Sequence, residues 1–228
     1  MQDTLTEKKQ VQNLIKAATN IAVIPSKMGE VDAFSSAVGL YYMLQKDIDS
    51  DSKDAPVKRA VSFVHTGPIP QECLHLISNQ EIVSDIATRE LLISIDYSDT
   101  SAEKVHWNHD AARSTLYLNV RPIEKDYDLR RVKAVLKGFG FDLIFTLGMQ
   151  AYEDVSQMYA GLEDEFKTAK VINIDNTSLN ARFGYINLVD TSAASLSLLV
   201  LQKAFDWGLT PDQKAGKALL TGIVSREL

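Results

Sequence analysis

Apolar positions along the chain fall into two alternating patterns. Short continuous apolar runs, such as NIAVIPS at 20–26 and KVINID at 170–175, are typical of strands that are buried on both faces. Other segments carry an apolar residue every three or four positions, beginning with Val11, Leu14 and Ala18. Buried strands that alternate with amphipathic helices predict an α/β fold, a parallel sheet of about five strands with helices on both faces.

Further segments repeat both patterns. Apolar runs predict strands at AVSFVH (60–65), ELLISID (90–96), TLYLNV (115–120) and DLIFTLG (142–148). Helical spacing predicts helices at DAFSSAVGLYYMLQK (32–46), DLRRVKAVLKGF (128–139), YEDVSQMYAGL (152–162) and after Pro211. We therefore expect residues 1–228 to form a single domain.

Composition and charge narrow the class of protein. The apolar fraction of 45% is ordinary for a globular chain, and the net charge of −6 argues against binding long duplex nucleic acid, which needs a basic face. The one cysteine, Cys73, rules out an internal disulfide and fits a reducing compartment. Charges interrupt the N-terminal segment, so it lacks the apolar core of a signal peptide. No run in the sequence approaches the roughly 18 apolar residues of a membrane span. We expect a cytoplasmic protein that makes no membrane contact.

Carboxylates follow three of the predicted strands. Glu30 and Asp32 come after the first strand, Asp96 ends ELLISID, and Asp175 ends KVINID. Ligands of α/β proteins bind beyond the carboxyl ends of the strands, and clustered carboxylates need cations to offset their repulsion. Oxygen ligands suit Mg²⁺ or Mn²⁺. The alternative for each acid is a helix cap, which needs no metal.

Four segments, in chain order, resemble the motifs of the DHH phosphoesterase superfamily. They are IAVIPSKMGEVDAFSSAVGLYYML (21–44), LLISIDYSD (91–99), VINIDNTSLNARFGYINLVDTSAASLSLLVLQ (171–202) and ALLTGIV (218–224). The branch most similar is the oligoribonuclease and phosphoadenosine-phosphate phosphatase type, and the resemblance runs from about residue 20 to the end of the chain. It implies a DHH-type N-terminal domain. The C-terminal substrate-binding domain of such enzymes is absent here, so we expect residues 1–228 to belong to a longer protein.

The first two motifs of this family are partly kept. In its His-x-x-x-Asp-x-Asp motif, Ser26 stands for the histidine, Glu30 for the first aspartate and Asp32 for the second. The resemblance matches Asp96 with the metal-bridging aspartate of the second motif. The implied metal ligands are therefore Glu30, Asp32, Asp96 and Asp175.

The last two motifs are more strongly altered. Asp175 keeps the aspartate of Asp-His-His, but Asn176 and Thr177 replace both histidines. Arg226 stands where the fourth motif has an aspartate. Because Ser26, Asn176 and Thr177 are weak neutral ligands and Arg226 brings a fixed positive charge, we expect at most one weak Mn²⁺ or Mg²⁺ site, or none. No catalytic residue can be assigned at these degenerate positions.

The segment after Asp190 offers a second kind of binding group. The resemblance places Ser192 and Ser195 at the start of a helix of small residues, where backbone N–H groups could hold an anionic substrate. The structural alternative is close packing of that helix on the sheet. Among the histidines, His65 ends a predicted strand and could reach the pocket, whereas His106 and His109 lie in a polar stretch that favours surface positions.

Together these features predict a degenerate DHH-type phosphoesterase domain. We expect it to be catalytically impaired and to act as a nucleotide- or phosphate-binding module or as a scaffold. The alternative is an active Mn²⁺-dependent phosphodiesterase or phosphatase on short oligonucleotides, nucleotide phosphates or cyclic dinucleotides. A nucleotide or short oligonucleotide is the expected ligand, and a homodimer is left open.

Overall fold

The computed structural model describes residues 2–28, 30–51, 59–84, 86, 90–96, 98, 102–137, 140–154 and 162–226. The chain divides into two compact units. The first contains residues 1–88 and 138–228, and the second contains residues 89–137. The second unit is thus inserted in the sequence between the two halves of the first.

Among the described residues of the first unit are the following helices and strands. The helices are α1 (Gln2–Ala17), α2 (Val31–Asp51), α3 (Glu163–Thr168), α4 (Leu196–Trp207) and α5 (Gln213–Val224). The strands are β1 (Asn20–Pro25), β2 (Ala60–Val64), β3 (Ile82–Val83), β8 (Leu143–Leu147), β9 (Lys170–Asp175) and β10 (Ile186–Val189). Short 3-10 helices occupy Gln71–Cys73 and Asn79–Glu81.

The six strands form one parallel sheet in the order β10-β9-β8-β1-β2-β3. β1 is central, with Ile21 in register with Val61 of β2 on one side and Leu143 of β8 on the other. This confirms the predicted α/β class, with six strands rather than about five. Because all strands run the same way, β1, β8 and β9 deliver their carboxyl ends side by side at one edge.

Apolar residues cover both faces of this sheet. On one face, Val23 and Phe145 join a core supplied by α1, α2, α4 and α5. On the other face, Ile24 and Ile144 pack with Phe166 of α3. Successive strand residues point to opposite faces, so burial of both faces explains why these strands read as continuous apolar runs.

In its described residues, the second unit contains two antiparallel ribbons. β4 (Glu90–Ile95) pairs with β7 (Val132–Lys137), and β5 (Ala102–Asp110) pairs with β6 (Thr115–Pro122). The runs at 90–96 and 115–120 are strands as predicted, but their assignment to the parallel sheet is wrong.

One predicted helix is largely a strand in the structure, and another lies mostly outside the described residues. The helix predicted over 128–139 is wrong, because the described residues form a 3-10 turn at Leu129–Arg131 followed by β7. Apolar residues stand at every second position here, at Val132, Ala134 and Leu136, and this spacing fits a strand as well as a helix. Most of the helix predicted over 152–162 lies outside the described residues. Within the described ranges, no helix combines the length and apolar character that crossing a bilayer would require.

Candidate functional site

A polar cleft of about 620 Å³ lies where β1, β8 and β9 end. It brings together six positions that the sequence singled out: Ser26, Glu30, Asp32, Asn176, Thr177 and Arg226. Four further polar side chains line it that sequence reasoning missed: Gln150, Asp154, Ser178 and Thr191. Of these, Asp154 and Gln150 follow β8, so the carboxyl-edge rule applied to DLIFTLG could have found them.

Asp32 uses its carboxylate to hold the start of another helix. It is buried in the first turn of α2, and its Oδ2 and Oδ1 accept the backbone N–H groups of Leu196 (2.7 Å) and Ser197 (2.9 Å). These N–H groups open α4 and have no partner within their own helix. Arg226 Nε lies 4.0 Å from Asp32 Oδ2. The acid therefore caps α4 from a distant part of the chain.

Gly222 of α5 makes this arrangement possible. A Cβ atom at this position would lie 2.0 Å from Ser197 Oγ and 2.9 Å from Asp32 Oδ1. Only a residue without a side chain lets α5 approach α2 and the start of α4 so closely. The three helices therefore meet at the Asp32 carboxylate.

Asp175 is also occupied by intramolecular hydrogen bonds. Its Oδ1 accepts the backbone N–H groups of Asn176 (2.8 Å) and Thr177 (3.3 Å), and its Oδ2 accepts Asn180 Nδ2 (2.8 Å). Burial raises the pKa of the Asp175 carboxyl above its usual range, whereas these hydrogen bonds oppose that shift. The carboxylate organises the turn after β9.

The residues that replace the motif histidines make local contacts. Ser26 Oγ accepts the backbone N–H of Met28 (3.3 Å), and Thr177 Oγ1 accepts that of Leu179 (3.2 Å). Asn176 Nδ2 donates to the carbonyl of Ala193 (3.4 Å). Each of the three side chains thus shapes a loop of the cleft and presents a neutral polar group to it.

The expected position of Asp96 in the parallel sheet is wrong. Asp96 follows β4 in the second unit, where its Oδ1 accepts the backbone N–H of Ser98. The hydrogen bonds from Ser98 lower the pKa of the Asp96 carboxyl, and Arg131 adds to this effect. Whether Asp96 binds a metal stays a prediction.

Gly148 stands at the end of the strand between the one that precedes Asp32 and the one that ends at Asp175. It follows β8, which lies between β1 and β9, and it lines the cleft. Its φ of +67° favours glycine, and a Cβ here would lie 2.9 Å from Ala33 Cβ. The backbone of the middle strand therefore turns closely past α2, and its carboxylate in the cleft, Asp154, comes from the segment that follows.

The first backbone N–H groups of α4, just after Ser192 and Ser195, already have hydrogen-bond acceptors. Ser195 is the N-cap of α4, and its Oγ accepts the backbone N–H of Leu198 (3.1 Å). Ser192 is exposed and donates through its Oγ to Asp190 Oδ1 (2.6 Å). The first N–H groups of α4 face Asp32 and Ser195, and a substrate role for the two serines stays a prediction.

The histidines contribute little to the cleft. His65 is buried after β2, where its ring contacts Phe34 at a centroid distance of 5.1 Å and its Nε2 lies 3.2 Å from the Pro68 carbonyl. His106 and His109 are exposed on β5. Because they are three residues apart on a strand, they point to opposite faces of the ribbon and cannot share one metal ion.

The two buried acids at this edge of the sheet, Asp32 and Asp175, are both engaged in hydrogen bonds. Both oxygens of Asp32 and of Asp175 already accept N–H groups, and Arg226 places a guanidinium beside Asp32. In the part of the chain that the structure describes, no three His, Cys, Asp or Glu side chains form a group suited to a metal ion. Binding of one weak cation stays a prediction.

The fold and the cleft define an α/β protein with a polar site at the carboxyl edge of a parallel sheet. A comparison with protein-family models gives no match, and neither does a comparison with curated protein sequences. Among solved structures, the chain is similar to an exopolyphosphatase-related protein from Bacteroides fragilis, with a TM-score of 0.61 and 13% identity.

The match to this structure covers 97% of the chain but 50% of the other protein, so the chain spans about half of that protein's length. At this identity the likeness shows the fold alone. The chain thus shares the fold of this exopolyphosphatase-related protein. The phosphoesterase superfamily and the narrower branch expected from the motifs stay predictions.

Proposed function

We propose that this chain is a degenerate DHH-type phosphoesterase domain that has lost metal-dependent hydrolysis and binds a nucleotide or phosphate group in its cleft. The observation that carries the proposal is the set of contacts that the Asp32 carboxylate makes. Its two oxygens accept the N–H groups of Leu196 and Ser197, and Arg226 faces it at 4.0 Å. An acid that caps a helix and faces a guanidinium has little capacity left for a cation.

Metal ions supply a specific chemistry to hydrolases of this kind. A bound divalent metal lowers the pKa of its water from about 15.7 to about 7 and so provides a hydroxide nucleophile. The cleft offers hydroxyl and amide groups at Ser26, Asn176 and Thr177, and the middle strand ends at Gly148. As neutral hydroxyl and amide groups they are weaker metal ligands than histidine, and they cannot act as bases near neutral pH.

The same groups are suited to holding an anion. Arg226 is about half exposed, with a side-chain exposure of 54%, so part of its guanidinium faces the cleft and the solvent. Arginine forms charge-assisted hydrogen bonds with phosphate, and hydroxyl groups such as those of Thr177 and Ser178 can add neutral ones. Glu30 and Asp154 also line the cleft and would repel a highly charged ligand, which favours a phosphate monoester or mononucleotide over a polyanion.

A hydrolysis assay tests the loss of activity. The chain should be incubated with Mn²⁺ or Mg²⁺ and with bis-p-nitrophenyl phosphate, a short oligoribonucleotide or phosphoadenosine phosphate. We expect no turnover above that of a preparation carrying Asp175→Asn. Turnover at ordinary enzymatic rates that Asp175→Asn abolishes would overturn the proposal and leave the active phosphoesterase in its place.

Binding measurements test the remaining part. Calorimetric titration with inorganic phosphate and with adenosine monophosphate should show saturable binding in metal-free buffer. Binding that requires Mn²⁺ would contradict the proposal. The absence of any binding would leave the scaffold role as the function of the domain.

A further inference from the structure

One face of the β5–β6 ribbon is almost entirely apolar. Strand residues alternate between faces, so Val105, Trp107 and His109 of β5 share one side. Their register partners on β6 are Val120, Leu118 and Leu116. We call these six residues the ribbon face. The opposite side of β5 carries Lys104, His106, Asn108 and Asp110, so the ribbon is amphipathic.

The ribbon face is exposed to solvent. Trp107 is 71% exposed, Val105 63%, Leu116 58% and Leu118 47%. Soluble proteins seldom leave a contiguous patch of large apolar side chains uncovered unless it binds a partner. The exposure of an indole ring at the centre of this patch marks it as an interaction surface.

The ribbon also needs support from another element. Within the described ranges, β5 and β6 form a two-stranded sheet, so each has an outer edge without a strand neighbour. An isolated two-stranded ribbon is only marginally stable in water. A second layer over the ribbon face would bury the apolar side chains and stabilise the pairing of the two strands.

We infer that this layer is the same ribbon of a second copy of the chain, so that two ribbon faces pack against each other in a homodimer. The exposed parts of four side chains add up to roughly 500 Å² per copy, on the scale of 150–250 Å² for one fully buried aromatic residue. These side chains are Val105, Trp107, Leu116 and Leu118. Two copies would bury roughly 1,000 Å², which reaches the size of a specific interface.

The chemistry of the ribbon face suits self-association. An isologous interface requires one patch to complement itself. The ribbon face does so, because it consists of four aliphatic groups, one indole and one imidazole, without Lys, Arg, Asp or Glu. The whole segment 89–137 has nine Lys or Arg and eight Asp or Glu residues. Two such segments therefore approach without strong repulsion, although the whole chain carries a charge of −6.

Sedimentation equilibrium of the 228-residue chain tests the inference. Leu118→Glu introduces a charge at the centre of the ribbon face, and Tyr117→Glu introduces the same charge on the other face of the same strand. We expect the wild type and Tyr117→Glu to dimerise. Leu118→Glu should raise the dimer dissociation constant by at least about 100-fold, because each dimer would bury two charges.

Two further measurements keep the inference falsifiable if Leu118→Glu fails to fold. Trp207 is buried in the first unit, so a concentration-dependent blue shift of tryptophan emission would report Trp107. A bis-maleimide reagent should link Leu118→Cys chains but not Tyr117→Cys chains, since the native Cys73 is buried.

Each possible result of these experiments either supports the homodimer or overturns it. Dimerisation that Leu118→Glu weakens, or cross-linking specific to position 118, supports the inference. A monomer at all concentrations would overturn it, and so would a monomer whose Trp107 already emits as a buried indole, because the chain would then cover the face itself. Equal behaviour of the variants at 117 and 118 would overturn it as well.

Discussion

The carboxylate of Asp32 lies 2.7 Å from the backbone nitrogen of Leu196, a residue 164 positions further along the chain. This hydrogen bond joins the first turn of α2 to the first turn of α4. With the bond to Ser197 and the close approach of Gly222, it fastens three helices on one face of the sheet. A residue that the motif pattern presents as a metal ligand thus has a measurable structural role.

The first prediction concerns the stability contributed by Asp32. In Asp32→Asn, the amide nitrogen would face a backbone N–H, so one bond would be lost and one donor left unpaired. We expect the free energy of unfolding to fall by about 1–3 kcal/mol, measured by urea denaturation without metal. Glu30→Gln, in the same cleft but exposed, should change it by less than about 0.5 kcal/mol. If Asp32 were an unpaired acid in a repulsive cluster, Asp32→Asn would instead stabilise the protein.

The second prediction compares two glycines of α5. Gly222→Ala would place a methyl group against Ser197 and Asp32, and we expect a loss of about 1–3 kcal/mol in the free energy of unfolding. A Cβ at Gly216 would meet nothing within 4 Å, so Gly216→Ala should stabilise the helix by about 0.5–1 kcal/mol. Thermal denaturation of both variants measures the difference. Equal effects at the two positions would contradict the close packing at Gly222.

The third prediction assigns anion binding to Arg226. Because this guanidinium is the cation that lines the described part of the cleft, Arg226→Ala should weaken phosphate binding at least about tenfold in calorimetry. Lys217→Ala removes an exposed cation of α5, the helix that ends just before Arg226, at a position outside the cleft lining, and should leave binding unchanged. Equal losses in both variants would point to a general effect of net charge.

The fourth prediction concerns pH and His65. Burial lowers the pKa of this imidazole below its usual value, and in the described part of the chain its Nδ1 has no hydrogen-bond partner. The unfolded chain therefore takes up a proton more readily than the folded protein. The stability that depends on neutral His65 is complete above the unfolded pKa of about 6.5 and is lost as the pH falls towards the lower folded value.

Urea denaturation between pH 8 and pH 5 measures this effect. His65→Phe should flatten the part of the curve below pH 6.5, since phenylalanine cannot be protonated and can still pack against Phe34. His75→Gln alters an exposed histidine and should leave the curve unchanged. A pH dependence that persists in His65→Phe would show that another group controls it.

The central strands could be predicted because their environment leaves a simple pattern. β1, β8 and β9 are covered on both faces, so nearly every residue from Ile21 to Ile24 and from Leu143 to Leu147 is buried and apolar. The same kind of run at 90–96 and 115–120 belongs to antiparallel ribbons. An apolar run specifies a strand but not the partner with which it pairs, because pairing depends on distant residues.

The candidate site was partly predictable for a similar reason. Six predicted positions converge because they follow neighbouring elements. Three of them follow β1, two follow β9 and one follows α5: Ser26, Glu30 and Asp32, then Asn176 and Thr177, then Arg226. Asp96 was misplaced because its strand resembles a buried one, whereas the strand between β1 and β9 ends at Gly148. The sequence offered a helix cap as the alternative role of each acid, but it could not show that Asp32 caps α4, because the N–H donors of α4 reach Asp32 only after folding.

The position of Asp32 beneath the start of α4 bears on how such chains evolve. An acid that serves both a reaction and the fold remains under selection after the reaction has been lost, whereas a residue that serves the reaction alone is free to drift. Among descendants of one ancestor, Asp32 would then outlast its catalytic neighbours. Under the proposed function, retention of this aspartate would reflect the fold, and a past activity would have to be traced through Ser26, Asn176 and Thr177.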